Sequence, residues 1–169
     1  MTKAAAPNCD TGHDPLDRGN IPAGASRVHV LTLRLKRLLD ADISRTLARH
    51  SDLSVPEWRI LSVLNRGASG HLTQKDIVRE VGIAQGQASR ALFALQGAAL
   101  VEAHQSRTDR RAWNYALTGR GRALFERLLP HLERRRAALE GSITREDLLQ
   151  FEEIASRIAA TAQNRLSAP

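Results

Sequence analysis

Residues 72–117 read LTQKDIVREVGIAQGQASRALFALQGAALVEAHQSRTDRRAWNYAL, and this stretch decides the fold. Its pattern predicts a helix over Gln74–Val81, a tight turn at Gly82-Ile83 and a second helix over Ala84–Gly97. Two strands follow, near Leu100–His104 and Ala112–Leu117, joined by an arginine-rich loop. Two helices meeting at a turn, followed by a basic β-hairpin, form the layout of a winged helix-turn-helix. In that layout the first helix braces and the second enters the major groove of DNA by its early turns.

The buried side of the two helices is predicted from Ile77, Val78, Val81, Ile83, Leu92 and Leu95. Gly82 suits a turn that needs a positive φ. The outward side of the second helix then carries Gln85, Gln87, Ser89 and Arg90. Glutamine can bond adenine edges, arginine guanine edges, and serine either a base or a phosphate. Ala84 is a poor helix cap, and Gly86 either weakens the first turn or admits a phosphate close to the backbone. In the hairpin loop, Arg107, Arg110 and Arg111 make a positive tip able to reach an adjacent minor groove. Asp109 is suited to bonding loop amides or orienting an arginine. A basic loop alone is often only a solubilising edge device. Directly after a two-helix unit, it reads as a DNA contact.

Working outward, Arg27 to about His50 has Leu31, Leu35, Leu39, Ile43 and Leu47 at helical spacing, with Val30 and Leu33 off that stripe. A helix apolar on more than one face needs more than one partner. Leu53-Ser54-Val55-Pro56-Glu57-Trp58 is a helix start with capping box and hydrophobic staple. The capping signature returns, with Asp for Glu, at Thr73–Asp76 and at Thr144–Asp147. A helix begins at Thr118, where Pro130 is expected to kink or interrupt it, and a last helix runs from about Arg145 to Asn164. Residues 1–26 lack periodicity and are expected to be a flexible tail holding the sole cysteine, Cys9. The expected division is therefore a tail (1–26), a first dimerisation helix (27–52), the DNA-binding region (53–118) and C-terminal dimerisation helices (119–166). The fold class is mainly α with a small β-hairpin wing.

Charge and composition agree with a polyanionic partner. Lys and Arg total 25 against 18 Asp and Glu, a formal charge of +7. One cysteine excludes an internal disulfide, and no apolar run is long enough to span a bilayer, so a cytoplasmic chain without membrane attachment is expected. Several chemistries are excluded on pattern. Gly119-Arg120-Gly121 lacks the third glycine of a dinucleotide fingerprint, the six histidines are scattered without metal-ligand spacing, and no serine sits in a nucleophile elbow. No enzyme activity, cofactor or metal is expected.

An ordered set of motifs resembles the multiple-antibiotic-resistance regulator (MarR) family. It comprises Leu53–Leu61, Leu72–Ile77, Ser89-Arg90, Ser106–Arg111 with its Asp-Arg-Arg, and Leu117–Gly121. The resemblance spans about Arg27 to Asn164. Val78 and Ala84 depart from it, where Ala and a capping Ser or Asp are usual. It implies a homodimer on a pseudo-palindromic operator in double-stranded DNA, acting as a repressor. It also implies Ser89 and Arg90 as recognition-helix contacts and Asp109 and Arg111 as the wing motif. A small anionic or aromatic ligand is a further implication, with His29, Arg34 and Trp58 as candidate binding residues; the alternative reading of the residues is that Trp58 is simply core and Arg34 simply surface. The alternative is a winged helix that binds protein instead of DNA, which the wing arginines argue against.

Overall fold

A computed structural model describes residues 14–66, 71–105 and 113–167. The element order is α1 (Arg27–Ala48), α2 (Val55–Arg66), β1 (Leu72–Thr73), α3 (Gln74–Val81), α4 (Gln85–Gly97), β2 (Val101–Gln105), β3 (Trp113–Leu117), α5 (Gly119–Glu140) and α6 (Arg145–Ser167). The chain divides into two units, and their described residues are Asp14–Glu133 and Arg134–Ser167.

The helix starts follow from capping chemistry. The Thr73 hydroxyl accepts the Asp76 N–H at 3.2 Å while the Asp76 carboxylate takes the Thr73 N–H and hydroxyl, a complete capping box. The Thr73 hydroxyl bond holds the Asp76 carboxyl below its usual range, ahead of the nearby Arg79. Thr144 and Asp147 repeat the arrangement at α6, with bonds of 2.9 and 3.1 Å. At α2, Glu57 accepts the Ser54 N–H at 2.6 Å.

One core unites the first unit. Trp58, Ile60, Leu61 and Leu64 of α2 meet Ile77 of α3, Leu92 and Leu95 of α4, and Phe125, Leu128 and Leu132 of α5. Trp58 stacks on Phe125 with centroids 5.0 Å apart. Leu47 of α1 is fully buried, and Arg59 reaches across from α2 to Asp40 of α1 at 2.6 Å. The first five turns of α1 otherwise bury little: Val28, Leu33, Leu38 and Leu39 are exposed.

Several expectations are corrected. The wing belongs to a three-stranded antiparallel sheet, in the order β1-β3-β2, with Leu72 opposite Tyr115 and Thr73 opposite Asn114. The first wing strand is Val101–Gln105, because Leu100 still closes α4 through its N–H to Leu95 O at 2.9 Å. Ala84 lies outside α4 as its N-cap, and α6 continues three residues past Asn164 to Ser167. Pro130 sits inside α5 and does not interrupt it. Its face is exposed, so the Glu126 carbonyl that it leaves unpaired can bond water, and buried Leu128 and Leu132 anchor the helix on either side. From Asp14 onward, the segment expected to be a flexible tail is fastened to α1. Arg34 donates to the Leu16, Asp17 and Asn20 carbonyls at 3.1, 2.7 and 2.8 Å. Asp14 caps the same segment. The Arg18 N–H and guanidinium hold its carboxyl down at a pKa of about 2. Cys9 and the rest of 1–13 lie outside the described residues.

Candidate nucleic-acid interface

The geometry of the reader begins at Gly82. It terminates α3 with φ 68° and ψ 39°, the left-handed region where glycine escapes the Cβ clash. Its N–H closes on Val78 O at 3.0 Å. After two residues the chain enters α4, whose buried stripe is Ala88, Ala91, Leu92 and Leu95. That stripe aims the opposite face outward, and Gln85, Gln87, Ser89 and Arg90 are all exposed. Arg90 forms no ion pair among the described residues, whereas Arg79 on α3 is tied to Asp76 at 3.0 Å and Glu80 at 3.7 Å. Ala84 makes no side-chain cap bond, so the Gln85 and Gly86 amides at the start of α4 receive no cap, while the Gln87 N–H donates to Ala84 O at 2.9 Å. A Cβ at Gly86 would meet nothing within 4 Å, so internal packing does not require glycine there.

The wing is anchored by β2 and β3, registered from Val101 opposite Leu117 to Gln105 opposite Trp113. Trp113 is half-exposed at its base. The predicted tip residues Arg107, Asp109, Arg110 and Arg111 lie outside the described residues. The junction from α4 to the sheet and on to α5 is tightly bonded. The Thr118 N–H donates to Leu100 O at 3.1 Å and the Thr118 hydroxyl to Ala99 O at 2.8 Å, while the Gly121 N–H donates to that hydroxyl at 3.0 Å.

The three candidate ligand residues do not converge. His29 is exposed on α1, Arg34 is committed to the carbonyls of 16–20, and Trp58 is buried against Phe125. A different cavity is present, about 560 Å³, between the start of α2, the end of α4 and the start of α5. Leu53, Leu95 and Leu124 supply apolar walls, and Glu57, Arg120 and Arg127 supply charge. Sequence reading missed this site. The seven-residue spacing of Arg120 and Arg127, which puts both on one helical face, was its visible signal; which elements would face them was not visible. No group of three or more metal-ligating side chains occurs among the described residues.

These features define a winged helix-turn-helix, with an open recognition helix and a hairpin wing. Residues 51–112 match the MarR family model. Among solved structures it is similar to AbsC, a MarR family transcriptional regulator from Streptomyces coelicolor, at 19% identity and TM-score 0.73, covering 85% of this chain and 97% of that one. A second Streptomyces coelicolor regulator of the family, solved in complex with DNA, is similar at 21% identity and TM-score 0.70, over 83% and 91% of the two chains. BpsR of Bordetella bronchiseptica, whose DNA binding is regulated by 6-hydroxynicotinic acid, is similar at 20% identity and TM-score 0.68, over 79% and 99%. No curated protein matches the chain. Among the described residues, no helix is long and apolar enough to cross a membrane.

Proposed function

We propose that this chain is a cytoplasmic, dimeric, sequence-specific transcriptional regulator that represses by occupying a pseudo-palindromic operator and is released by a small anionic aromatic ligand. The observation that carries the reading is the outward face of α4. Its polar side chains are exposed, and Arg90 has no ion-pair partner among the described residues. An arginine held on a helix that enters the major groove can bond both O6 and N7 of guanine. Gln85 and Gln87 lie on the first turn, where adenine edges are reached, and the uncapped amides of Gln85 and Gly86 suit a phosphate. The wing arginines Arg107, Arg110 and Arg111 would add contacts beyond the major groove, with Asp109 orienting them.

Dimerisation is supported by the apolar surface left exposed on α1 and α6. Two readers about 34–36 Å apart meet successive major grooves on one side of a duplex. Ligand release is supported by the cavity of about 560 Å³. A planar aromatic ring suits its leucine walls, and a carboxylate suits Arg120 and Arg127. Its wall includes the last turns of α4, so a ligand there can tilt the recognition helix. The regulation of BpsR by an aromatic acid is consistent with that class of ligand.

The test is fluorescence anisotropy of the purified full-length chain on DNA from upstream of its own gene and on scrambled DNA, across a salt series. Tight, sequence-preferring binding with a steep negative salt slope supports the regulator, and the slope counts phosphates at about 0.9 per contact. Arg90→Ala should weaken binding to the preferred DNA by about 1–3 kcal/mol while barely changing the salt slope. Equal loss on both DNAs with a slope smaller by about one would assign Arg90 to a phosphate instead. Salt-insensitive, sequence-indifferent binding would favour a protein partner for the winged helix.

A further inference from the structure

Phe93 stands at the middle of α4 with 80% of its surface exposed. Its neighbours Ala91, Leu92 and Leu95 are buried, so the helix is firmly seated where the ring projects. In the region from α2 to β3, Phe93 and Trp113 are the only large apolar side chains exposed among the described residues. The other such side chains lie on α1 or from the end of α5 onward. Phe93 follows Ser89 by four positions and Arg90 by three, which places all three on one helical face. No acidic residue occurs anywhere in α4, so nothing on that element repels a polyanion.

We propose that Phe93 is a specificity-determining residue that packs against the C5-methyl of a thymine in the operator. This rests on the reading that α4 enters the major groove. In that groove, the thymine methyl is the one apolar group that a base pair presents. The helical rise of about 1.5 Å per residue sets Phe93 about 4.5 Å beyond Arg90 along the axis. That is close to one base-pair step of about 3.4 Å, so the ring reaches a base next to, or one removed from, the base that Arg90 reads. Ser89 and Arg90 supply polar contacts, and Phe93 supplies the apolar one that excludes cytosine at its position.

The experiment starts from duplexes selected by the full-length chain from a random-sequence pool. Deoxyuridine then replaces thymine one position at a time, which removes a single methyl and leaves base pairing unchanged. The expected result is a thymine in each half-site whose loss of methyl weakens wild-type binding about fourfold, the scale of one buried methyl. Phe93→Ala should bind the unmodified duplex at least fourfold more weakly and show no further loss with deoxyuridine at that position. Phe93→Leu should retain methyl sensitivity. Selection of a preferred sequence without a thymine position that distinguishes wild type from Phe93→Ala overturns this inference alone. Failure to select any sequence overturns the regulator reading, and this inference with it.

Discussion

Gly121→Ala is expected to destabilise the winged-helix unit by about 3 kcal/mol or more, through a backbone clash that neither partner can relieve. A Cβ at Gly121 would lie 2.0 Å from the Leu100 carbonyl oxygen and 3.0 Å from its carbon. The carbonyl is pinned, since it accepts the Thr118 N–H at 3.1 Å while the Leu100 N–H is bonded to Leu95 O at 2.9 Å. The helix side is pinned as well. The Gly121 N–H donates to the Thr118 hydroxyl, which itself donates to Ala99 O. Moving α5 outward would break both bonds and pull Phe125 and Leu128 from the core. For a chain of this length, such a loss lowers the melting temperature by about 6–12 °C, readable by circular dichroism. Gly119→Ala is the control, because a Cβ there meets nothing within 4 Å. Across the same junction the opposite substitution should help. Ala99 holds φ at 54°, a strained left-handed conformation for a residue with a Cβ. Ala99→Gly removes about 1–2 kcal/mol of strain against about 0.4–1 kcal/mol of added unfolded-state entropy, for a small net gain.

What could be read from the sequence was what depends on local bonds. The capping boxes at Thr73 and Thr144 close within four residues, so their spelling is enough to place α3 and α6. Gly82 likewise marks its own turn by the φ it must adopt. The outward face of α4 was legible because Leu92 and Leu95, read as buried, fix its complement, and Ala88 and Ala91 complete the buried stripe in the structure. Long-range pairings left no such trace. β1 is two residues long, and only the distant Tyr115 and Asn114 make it a strand. Arg34 on the helix pattern looks available for a ligand, yet the carbonyls that occupy it are 14–18 positions away in sequence. Trp58 is equally ambiguous until Phe125 is seen stacked on it. The Leu53–Arg127 cavity joins three elements whose sequence separation hides their proximity.

The second large effect is expected from α6, with Phe151→Glu and Ile154→Glu made together. α6 spans 23 residues, none of them buried. Its Leu148, Phe151, Ile154 and Ile158 recur at three- and four-residue intervals and are 36–59% exposed. A stripe of that spacing is the side of a helix that packs, and in the proposed dimer a second copy of the chain would offer the same stripe in return. In a symmetric dimer, two substitutions remove four large apolar contacts. At about 1.5–3 kcal/mol each, that is about 6–12 kcal/mol of association energy, before the cost of burying carboxylates. The double variant should therefore run as a monomer in sedimentation, with the thermal unfolding of the Asp14–Glu133 unit little changed. DNA binding should fall with it. Joining two readers makes the second contact intramolecular, worth about 10²–10⁴ in apparent affinity, and the monomer forfeits that factor while α4 stays intact. Residual binding at reader-only strength, still reduced by Arg90→Ala, would locate the loss in assembly and not in recognition. A variant that remains dimeric would instead show that the pairing surface lies elsewhere, with the exposed Val28, Leu33 and Leu38 of α1 as the next surface to substitute.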